Sequence, residues 1–256
     1  MRLVNRTKEV EFFKKMLRGE ISQRILLIQG ASGMGKTTLL AKFASVFSVH
    51  ADTTLLAQVE LKSATTGTAY VFSRLQRQLG EDKFTRFNEA ICRFLSAGVE
   101  IADNKLEGTG NKIQLVLNAE SEESRNIRLN NLQEAFFRDL QAIKKPILIV
   151  FDTFNEAPAN LANWIGGAFL SEVADVKNIR VVIAGQSVPK PTIEWISLSE
   201  THCLDAINDI EVWHSFLEAN KLPFTRETVQ TVVLMLEGKP STIIQGLESV
   251  VRRLAP

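Results

Sequence analysis

One glycine-rich segment, at residues 30–37, constrains the fold of this 256-residue chain more than any other feature. It reads GASGMGKT and fits G-x-x-x-x-G-K-[ST], the pattern of phosphate-binding loops in nucleotide hydrolases. The apolar run before it, ILLIQ at residues 25–29, is typical of a buried strand, and residues 38–47 place their large apolar side chains at helical spacing. The segment is therefore predicted to join a strand to a helix, which is the setting that this motif requires.

The positions of this loop have physical roles in holding a nucleotide phosphate. Its glycines permit positive φ angles, and its backbone N–H groups and the following helix N-terminus converge on an anion. Lys36 would bring a point charge to the β- and γ-phosphates, and the Thr37 hydroxyl is placed to ligate Mg²⁺. The residues expected to contact the nucleotide are Gly30, Ala31, Ser32, Gly33, Met34, Gly35, Lys36, Thr37 and Thr38. The alternative is a glycine-rich turn that merely precedes a helix.

The composition is that of an ordinary soluble globular protein, with 45% hydrophobic residues and a mean hydropathy of +0.01. Lys and Arg number 30 and Asp and Glu 29, so the charge balance gives no case for general nucleic-acid binding. No apolar run reaches membrane-spanning length and no secretory signal is visible, so we expect a cytoplasmic protein that does not bind membranes. The two cysteines, Cys92 and Cys203, lack metal or redox spacing and are expected to be buried thiols.

Strand and helix patterns alternate over most of the chain. Helical spacing is found at residues 10–17, 69–79, 84–95 and 132–143, and strand patterns at residues 55–61, 147–151, 179–184 and, more weakly, 201–204. We interpret residues 113–117 as a possible short strand and residues 121–131 as a polar loop that leads into a helix. The alternation predicts an α/β fold with a doubly wound parallel sheet, as in P-loop NTPases.

After about residue 205 the pattern changes, because helices follow one another with no strand between them. They are expected at residues 208–219, 226–236 and 242–254. We therefore predict a nucleotide-binding domain at residues 1–205 and a small all-helical subdomain at residues 206–256. The subdomain carries the sequence Gly238-Lys239-Pro240.

A second candidate element of the site follows the apolar run ILIVF. An Asp just past a buried strand cannot enter the core at low cost, so Asp152 should lie at the carboxyl end of the sheet and bind Mg²⁺ together with Thr37. Glu156 follows in DTFNE and could orient or deprotonate the attacking water. Lys36, Asp152 and Glu156 are thus the candidate catalytic residues. The alternatives are that Asp152 caps the following segment and that Glu156 is a plain surface carboxylate.

Three segments together, GASGMGKT, LIVFDTFNE and LEGKPSTI, resemble the core of the STAND ATPases. These are signal-transduction ATPases with numerous domains, and they include the NACHT and NB-ARC proteins. DTFNE resembles the NACHT pattern D-G-x-D-E, and Gly238-Lys239-Pro240 resembles the family's G-x-P. The N-terminal LVNRTKEVEFF resembles hhGRxxEh, with Val4, Arg6 and Glu9 at matching positions. The resemblance spans nearly the whole chain in the expected order.

The resemblance implies that Val4, Asn5 and Arg6 contact the adenine and that Pro240 closes over it from the helical subdomain. Asn5 stands where the family usually has Gly. Gln186 follows the strand IRVVIAG, where many members carry an Arg that reaches the γ-phosphate, so hydrolysis is expected to be slow. The alternatives are that Arg6 is a surface charge, that Pro240 simply starts the last helix, and that Gln186 is an ordinary loop residue.

These features predict an ATP/ADP-binding switch with slow Mg²⁺-dependent ATP hydrolysis. ADP would hold the two parts closed, and ATP would favour an open state that associates with itself or with partner proteins. A nucleotide-binding scaffold with little or no hydrolysis is the alternative. An AAA+-like motor on nucleic acid is a third hypothesis, which the neutral charge disfavours.

Overall fold

A five-stranded parallel sheet organises the chain. The computed structural model describes residues 3–49, 53–62, 67–96, 109–118 and 121–254. The strands are β1 (Ile25–Gln29), β2 (Leu55–Glu60), β3 (Ile147–Asp152), β4 (Ile179–Gly185) and β5 (Ser199–Cys203). Their order in the sheet is β2-β3-β4-β1-β5, and every neighbouring pair is parallel. This arrangement confirms the predicted α/β class.

Eleven α-helices are present in the described residues. They are α1 (Thr7–Arg18), α2 (Lys36–Ser48), α3 (Thr68–Leu79), α4 (Thr85–Ser96), α5 (Thr109–Leu117), α6 (Glu122–Ala142), α7 (Ala159–Trp164), α8 (Leu170–Asp175), α9 (Ile210–Ala219), α10 (Arg226–Met235) and α11 (Pro240–Leu254). A π-helical turn at Ile165–Phe169 joins α7 to α8, and short 3₁₀ turns lie at Glu81–Lys83, Phe154–Glu156 and Ile196–Leu198. Among these described helices, none is both long and apolar enough to cross a membrane.

Helices cover both faces of the sheet. Successive residues of a strand point to opposite faces, so the side chains of β1, β3 and β4 are buried on both sides. In β1, Ile25 and Leu27 pack against helices α3 to α8, whereas Leu26 and Ile28 pack against α1 and α2. Strands that are covered on both faces must be apolar at nearly every position, which explains the continuous runs in β1, β3 and β4. The carboxyl ends of these strands meet at one edge, where the chain turns out of the core.

The last three helices form a third apolar cluster around Trp213, which is fully buried. The indole N–H of Trp213 donates to the carbonyl of Ile207 at 2.7 Å and so fixes the segment that enters α9. Val4, from the N-terminal segment, is also part of this cluster. The cluster therefore combines residues from both sides of the boundary predicted near residue 205.

Two sequence-based assignments are wrong. Residues 113–117 lie in helix α5, where Ile113, Val116 and Leu117 are buried at helical spacing, and a run of five apolar residues is too short to distinguish strand from helix. Of residues 121–131, which we predicted to be a loop, residues 122–131 form the first half of α6. Ser121 caps this helix by accepting from the N–H of Ser124, and the half is polar because most of it faces solvent.

The two cysteines also differ from the expectation, since Cys92 and Cys203 are both exposed free thiols. Cys92 lies on the outer side of α4, and Cys203 ends β5, which is an edge strand of the sheet. Neither position faces the apolar clusters. An unpaired cysteine is usually buried, and residue type alone therefore gave the wrong exposure.

Candidate nucleotide-binding site

The predicted phosphate loop lies between β1 and α2, at the carboxyl edge of the sheet. Gly33 and Gly35 both have a φ of 86°, a left-handed conformation that residues with a Cβ rarely adopt. Gly35 is the cap from which α2 begins, so the N–H groups of the first helical turn lack intrahelical acceptors. At the tip of the loop Ala31 and Ser32 are exposed, whereas Met34 is buried. An anion in this loop would meet free N–H groups and the positive end of the helix dipole.

Lys36, the first residue of α2, folds back over the loop. Its Nζ donates to the carbonyl oxygens of Gly30 at 2.6 Å and Ala31 at 2.9 Å. Burial lowers the pKa of Lys36, and the nearby charge of Asp152 opposes this shift. The backbone of the loop therefore positions the ammonium group where a bound phosphate would lie.

A cavity of about 680 Å³ opens beside the loop, between α2 and the ends of β2 and β3. The polar residues that line it near the loop are Thr37, Glu60, Lys62, Arg74, Asp152 and Thr153. The structure thus brings Thr37 and Asp152, the two predicted Mg²⁺ ligands, to the same cavity. Thr38 lies one residue further along α2 and is half-buried.

The environment of Asp152 suits a bound cation. Its Oδ1 accepts from the N–H of Thr153 at 2.7 Å. Burial raises the pKa of Asp152, and the charge of Glu60 raises it further, while the Thr153 N–H and Lys36 act in the opposite direction. A hydroxyl and two carboxylates are the oxygen ligands that Mg²⁺ prefers, and the cation would stabilise the ionised form of Asp152. The residues present therefore fit a magnesium ion.

Glu60 is a site residue that sequence reasoning missed. In the pairing of β2 with β3, Glu60 lies directly opposite Asp152, so both carboxylates leave the sheet at the same edge. The signal was visible in part, because residue 60 falls near the end of a predicted strand. The neighbour of that strand and its register are properties of the sheet, and the local pattern does not contain them.

Thr153, next to Asp152, holds an unusual backbone conformation. Its φ is 54°, which is costly for a β-branched residue, and its buried Oγ1 has no hydrogen-bond partner among the described residues. Both features occur where the chain leaves β3 and turns along the cavity. Strain and an unsatisfied hydroxyl at one position are typical of functional sites, where a ligand completes the arrangement.

Glu156 lies outside the residues that line the cavity. It ends the 3₁₀ turn Phe154–Glu156, its side chain is exposed, and its backbone N–H donates to the carbonyl of Thr153. The structure therefore places Glu156 within one turn of Asp152 but does not bring its carboxylate to the predicted metal ligands.

Gln186 directly follows β4, the strand that separates β1 from β3. Its side chain is exposed, and its backbone N–H donates to Oδ1 of Asn155 at 2.8 Å. The preceding residue, Gly185, accepts from the N–H of Gly30 at 3.1 Å. Gln186 is therefore located between the start of the phosphate loop and the turn that carries Glu156.

The N-terminal segment is built into the structure beside the loop. Arg6 is only 8% exposed, and its guanidinium donates to the carbonyl oxygens of Met34 at 3.3 Å and Asp205 at 2.9 Å. Arg6 is therefore not a surface charge. Asn5 has a φ of 44°, a conformation in which Gly and Asn are the most favourable residues, and Val4 is buried.

Helix α11 begins against the phosphate loop. Pro240 is its first residue and is buried, and the next residue, Ser241, donates from both its N–H and its hydroxyl to the carbonyl of Gly33, each at 3.0 Å. Gly238 has a φ of 64° and packs so closely on Asn208 that a Cβ would lie 2.2 Å from its Oδ1. The Gly238-Lys239-Pro240 segment thus fixes the direction in which α11 meets the loop.

Several solved structures are distantly similar to this chain, with low identity and modest TM-scores. The RuvB Holliday junction branch migration motor of Thermotoga maritima is 10% identical, with a TM-score of 0.46, and the match covers 97% of this chain and 64% of that one. For Cdc6p of Pyrobaculum aerophilum the values are 14%, 0.46, 91% and 55%. For ORC1 of Aeropyrum pernix, in complex with DNA, they are 16%, 0.42, 86% and 50%. The chain thus spans half to two thirds of these proteins.

The sequence itself was also compared with curated proteins and with family models. No curated protein matches it. The model of the AAA ATPase domain matches residues 2–182, a range that contains the phosphate loop, Glu60 and Asp152. Since this match covers most of the sheet and its helices, the chain belongs to the AAA ATPase domain family.

Proposed function

We propose that the chain is an ATP- and ADP-binding switch module that hydrolyses ATP slowly in the presence of Mg²⁺. The observation that carries this proposal is the pair of hydrogen bonds from Ser241 to the carbonyl of Gly33. These hydrogen bonds join the loop that would surround the phosphates to α11, the last of the described helices. A nucleotide that changes the loop therefore changes the free energy of this contact, which is the requirement for a switch.

Each predicted site residue has a role in this proposal. Lys36 and the loop from Gly30 to Thr38 hold the phosphates, through the N–H groups other than those of Gly30 and Met34, which are bonded within the protein. Thr37 and Asp152, supported by Glu60, hold Mg²⁺. When bound, Mg²⁺ neutralises charge on the phosphate oxygens. The segment Val4-Asn5-Arg6 and Pro240 are proposed to enclose the base, since Arg6 and Ser241 bind adjacent carbonyls of the loop.

The ADP-bound form is proposed to keep the Ser241–Gly33 contact, and the ATP-bound form to weaken it and to favour self-association or a protein partner. To move such an equilibrium from 1:99 to 99:1, the two nucleotides must differ by about 5.5 kcal/mol in their preference for the two forms. The hydrogen bonds of Ser241 and Arg6 to the loop are the contacts on which that difference acts.

Slow hydrolysis follows from the residues proposed to face the terminal phosphate. Gln186 can donate a hydrogen bond but carries no charge. Glu156 is proposed to orient or deprotonate water, and its exposed carboxylate would need to turn toward the cavity when nucleotide is bound. Slow turnover suits a switch, because the ATP state then lasts long enough to be recognised.

A nucleotide-binding scaffold with little or no hydrolysis is the second candidate function. The exposed position of Glu156 favours it, since no carboxylate other than those of Asp152 and Glu60 lines the cavity within the described part of the chain. Nucleic-acid binding is not part of either proposal, because the charge is balanced. The ORC1 protein of Aeropyrum pernix was solved in complex with DNA, and the match to this chain covers 50% of that protein.

Calorimetry and single-turnover kinetics together test these proposals. The wild-type protein should bind Mg²⁺–ATP and Mg²⁺–ADP, and excess protein should hydrolyse ATP slowly and without stimulation by DNA. Glu156→Gln should bind ATP with wild-type affinity but lose hydrolysis, because the amide cannot accept a proton from water. Glu172→Gln, on α8, is a control that should behave as wild type. Equal hydrolysis by Glu156→Gln and the wild type would contradict the role of Glu156, and stimulation by DNA would favour a nucleic-acid motor.

A further inference from the structure

Arg74, on α3, lines the cavity that contains the predicted Mg²⁺ ligands. Helix α3 runs beside β2, which lies at one end of the strand order among the described residues. The side chain of Gln78 satisfies backbone groups of this edge strand. It accepts from the N–H of Gln58 at 3.0 Å and donates to the carbonyl of Gln58 at 2.8 Å. Arg74 is one helical turn earlier, so it lies near the carboxyl end of β2 and lines the cavity together with Thr37 and Asp152.

One nitrogen of the Arg74 guanidinium, Nε, is buried and unsatisfied within the described structure. None of the Arg74 nitrogens forms an ion pair with a described carboxylate. The other long basic side chains that reach into the protein are bonded. Arg6 binds two carbonyls, Arg24 binds three and Arg180 binds that of Met16. A buried N–H group that has lost its hydrogen bond to water and has no acceptor in the protein destabilises the folded state, unless a ligand supplies the acceptor.

The position of Arg74 indicates what that acceptor is. The cavity begins at Thr37 and Asp152, where the phosphate end of a nucleotide would lie, and Lys62 adds a second basic side chain to its wall. A planar guanidinium is well suited to bind phosphate oxygens through paired N–H groups. We propose that Arg74 binds the terminal phosphate of ATP and thereby allows the site to recognise that phosphate when ATP is bound.

This inference rests on the proposed nucleotide site and identifies how that site distinguishes ATP from ADP. ADP lacks the γ-phosphate, so it would leave Arg74 unpaired, as it is in the structure. ATP would pair it and draw α3 and the end of β2 toward the loop. Arg74 thereby contributes to ATP preference from the side of the cavity opposite to α11.

The test compares ATP and ADP affinity in matched variants. Arg74→Met keeps the length of the side chain but removes the charge, and it should weaken binding of a non-hydrolysable ATP analogue by about 10- to 100-fold while leaving ADP affinity within about twofold. Arg74→Lys should recover part of the loss. Arg77→Gln changes an exposed arginine of the same helix and should match the wild type.

Thermal unfolding of the nucleotide-free protein separates binding from a structural role. Because Nε has no partner, Arg74→Met should melt at or above the wild-type temperature, whereas loss of a structural arginine would lower it. Equal losses of ATP and ADP affinity, or no loss of either, would overturn the inference. Failure of the wild type to bind ADP would instead contradict the proposed function itself.

A second phosphate-bearing ligand is the competing source of an acceptor for Arg74. Inorganic phosphate can be titrated into protein saturated with the non-hydrolysable ATP analogue. We expect no binding, since the γ-phosphate would occupy the position. Binding that persists there and is lost in Arg74→Met would assign the residue to another phosphorylated molecule and overturn the proposal.

Discussion

The two sides of the phosphate loop differ in how completely their polar groups are bonded. On the side of α11, the carbonyl of Gly33 accepts two hydrogen bonds from Ser241, and that of Met34 accepts one from Arg6. On the side of the cavity, Nε of Arg74 and Oγ1 of Thr153 have no partner among the described residues. The two carbonyls on the first side are bonded without a ligand, whereas the two groups on the second side are not.

This difference indicates a division of roles. Satisfied hydrogen bonds hold two parts of the chain in one relative position, and breaking them costs free energy that a ligand must supply. Unsatisfied donors and a carboxylate with a raised pKa are costly in the free protein, and a phosphate with its cation relieves that cost. We therefore propose that phosphate and metal bind on the cavity side and that conformational coupling acts on the side of α11.

Loss of Lys36 should have the largest effect on the cavity side. Lys36→Ala removes the ammonium that the loop holds, and nucleotide affinity should fall by at least about 100-fold, for ATP and ADP alike. The melting temperature should change little, because the ammonium bonds only to loop carbonyls. Calorimetry measures the first effect and calorimetric melting the second. Lys42→Ala, at an exposed position of α2, is the control, and undiminished affinity in Lys36→Ala would refute the site.

Asp152→Asn should separate metal binding from stability. The amide still accepts from the Thr153 N–H but no longer binds Mg²⁺ as a carboxylate does, so Mg²⁺-dependent affinity for ATP should fall by at least about tenfold. The nucleotide-free protein should not be destabilised, because a buried charge has been removed. A relief of about 1 kcal/mol would raise the melting temperature by roughly 2–4 °C. A clear fall in melting temperature would show that Asp152 is a structural cap.

The pH dependence of Mg²⁺ binding gives the same residue a second test. Since burial raises the pKa of Asp152, the group takes up its proton at a higher pH than an ordinary carboxyl, and the proton competes with Mg²⁺. Mg²⁺-dependent ATP affinity should therefore decline as the pH falls through that raised pKa. The free protein should show the opposite sign, because the folded form binds the proton more tightly than the unfolded form and gains stability. Asp152→Asn should remove the contribution of Asp152 to both trends, so the difference between the wild type and this variant measures it.

Pro240→Ala should have the smallest effect, on the other side of the loop. If Pro240 encloses the base, ADP affinity should fall by about two- to fivefold, with ATP affinity affected less. If Pro240 only begins α11, the free energy of unfolding should fall by roughly 0.4–1 kcal/mol without any change in ADP affinity measured well below the melting range. Pro223→Ala, at an exposed position between α9 and α10, controls for the general effect of removing a proline.

Sequence patterns predicted most of the strands and helices, and they identified Lys36 and Asp152 as candidate site residues. The strand–loop–helix around Lys36 and the Asp after β3 are local patterns, and the sequence alone was enough to recognise both. Site residues that lie on other secondary-structure elements could not be recognised in this way. Glu60 depends on the register of β2 with β3, and Arg74 depends on the packing of α3 at the edge of β2, so neither has a local signature.

The secondary-structure predictions were wrong where the local sequence pattern is compatible with more than one structure. The apolar run at 113–117 is compatible with either a strand or a helix, and its burial against α3, α4 and α6 decides for the helix. The exposed first half of α6 has the composition of a loop. The predicted functional roles of all the site residues, with Glu156, Gln186 and Pro240 among them, remain predictions, because each depends on where the nucleotide lies.

Exchange of the Ser241 amide hydrogen tests the switch most directly. This N–H is in the first turn of α11, so it has no acceptor within the helix, and its only partner in the described structure is the carbonyl of Gly33. Its exchange therefore reports the contact between α11 and the loop, whereas the amide of Leu247, deep in the same helix, serves as the internal control. We expect slow exchange at Ser241 with ADP and clearly faster exchange with a non-hydrolysable ATP analogue, while Leu247 stays constant. Equal protection of Ser241 with both nucleotides would contradict the proposal that this chain is a nucleotide switch.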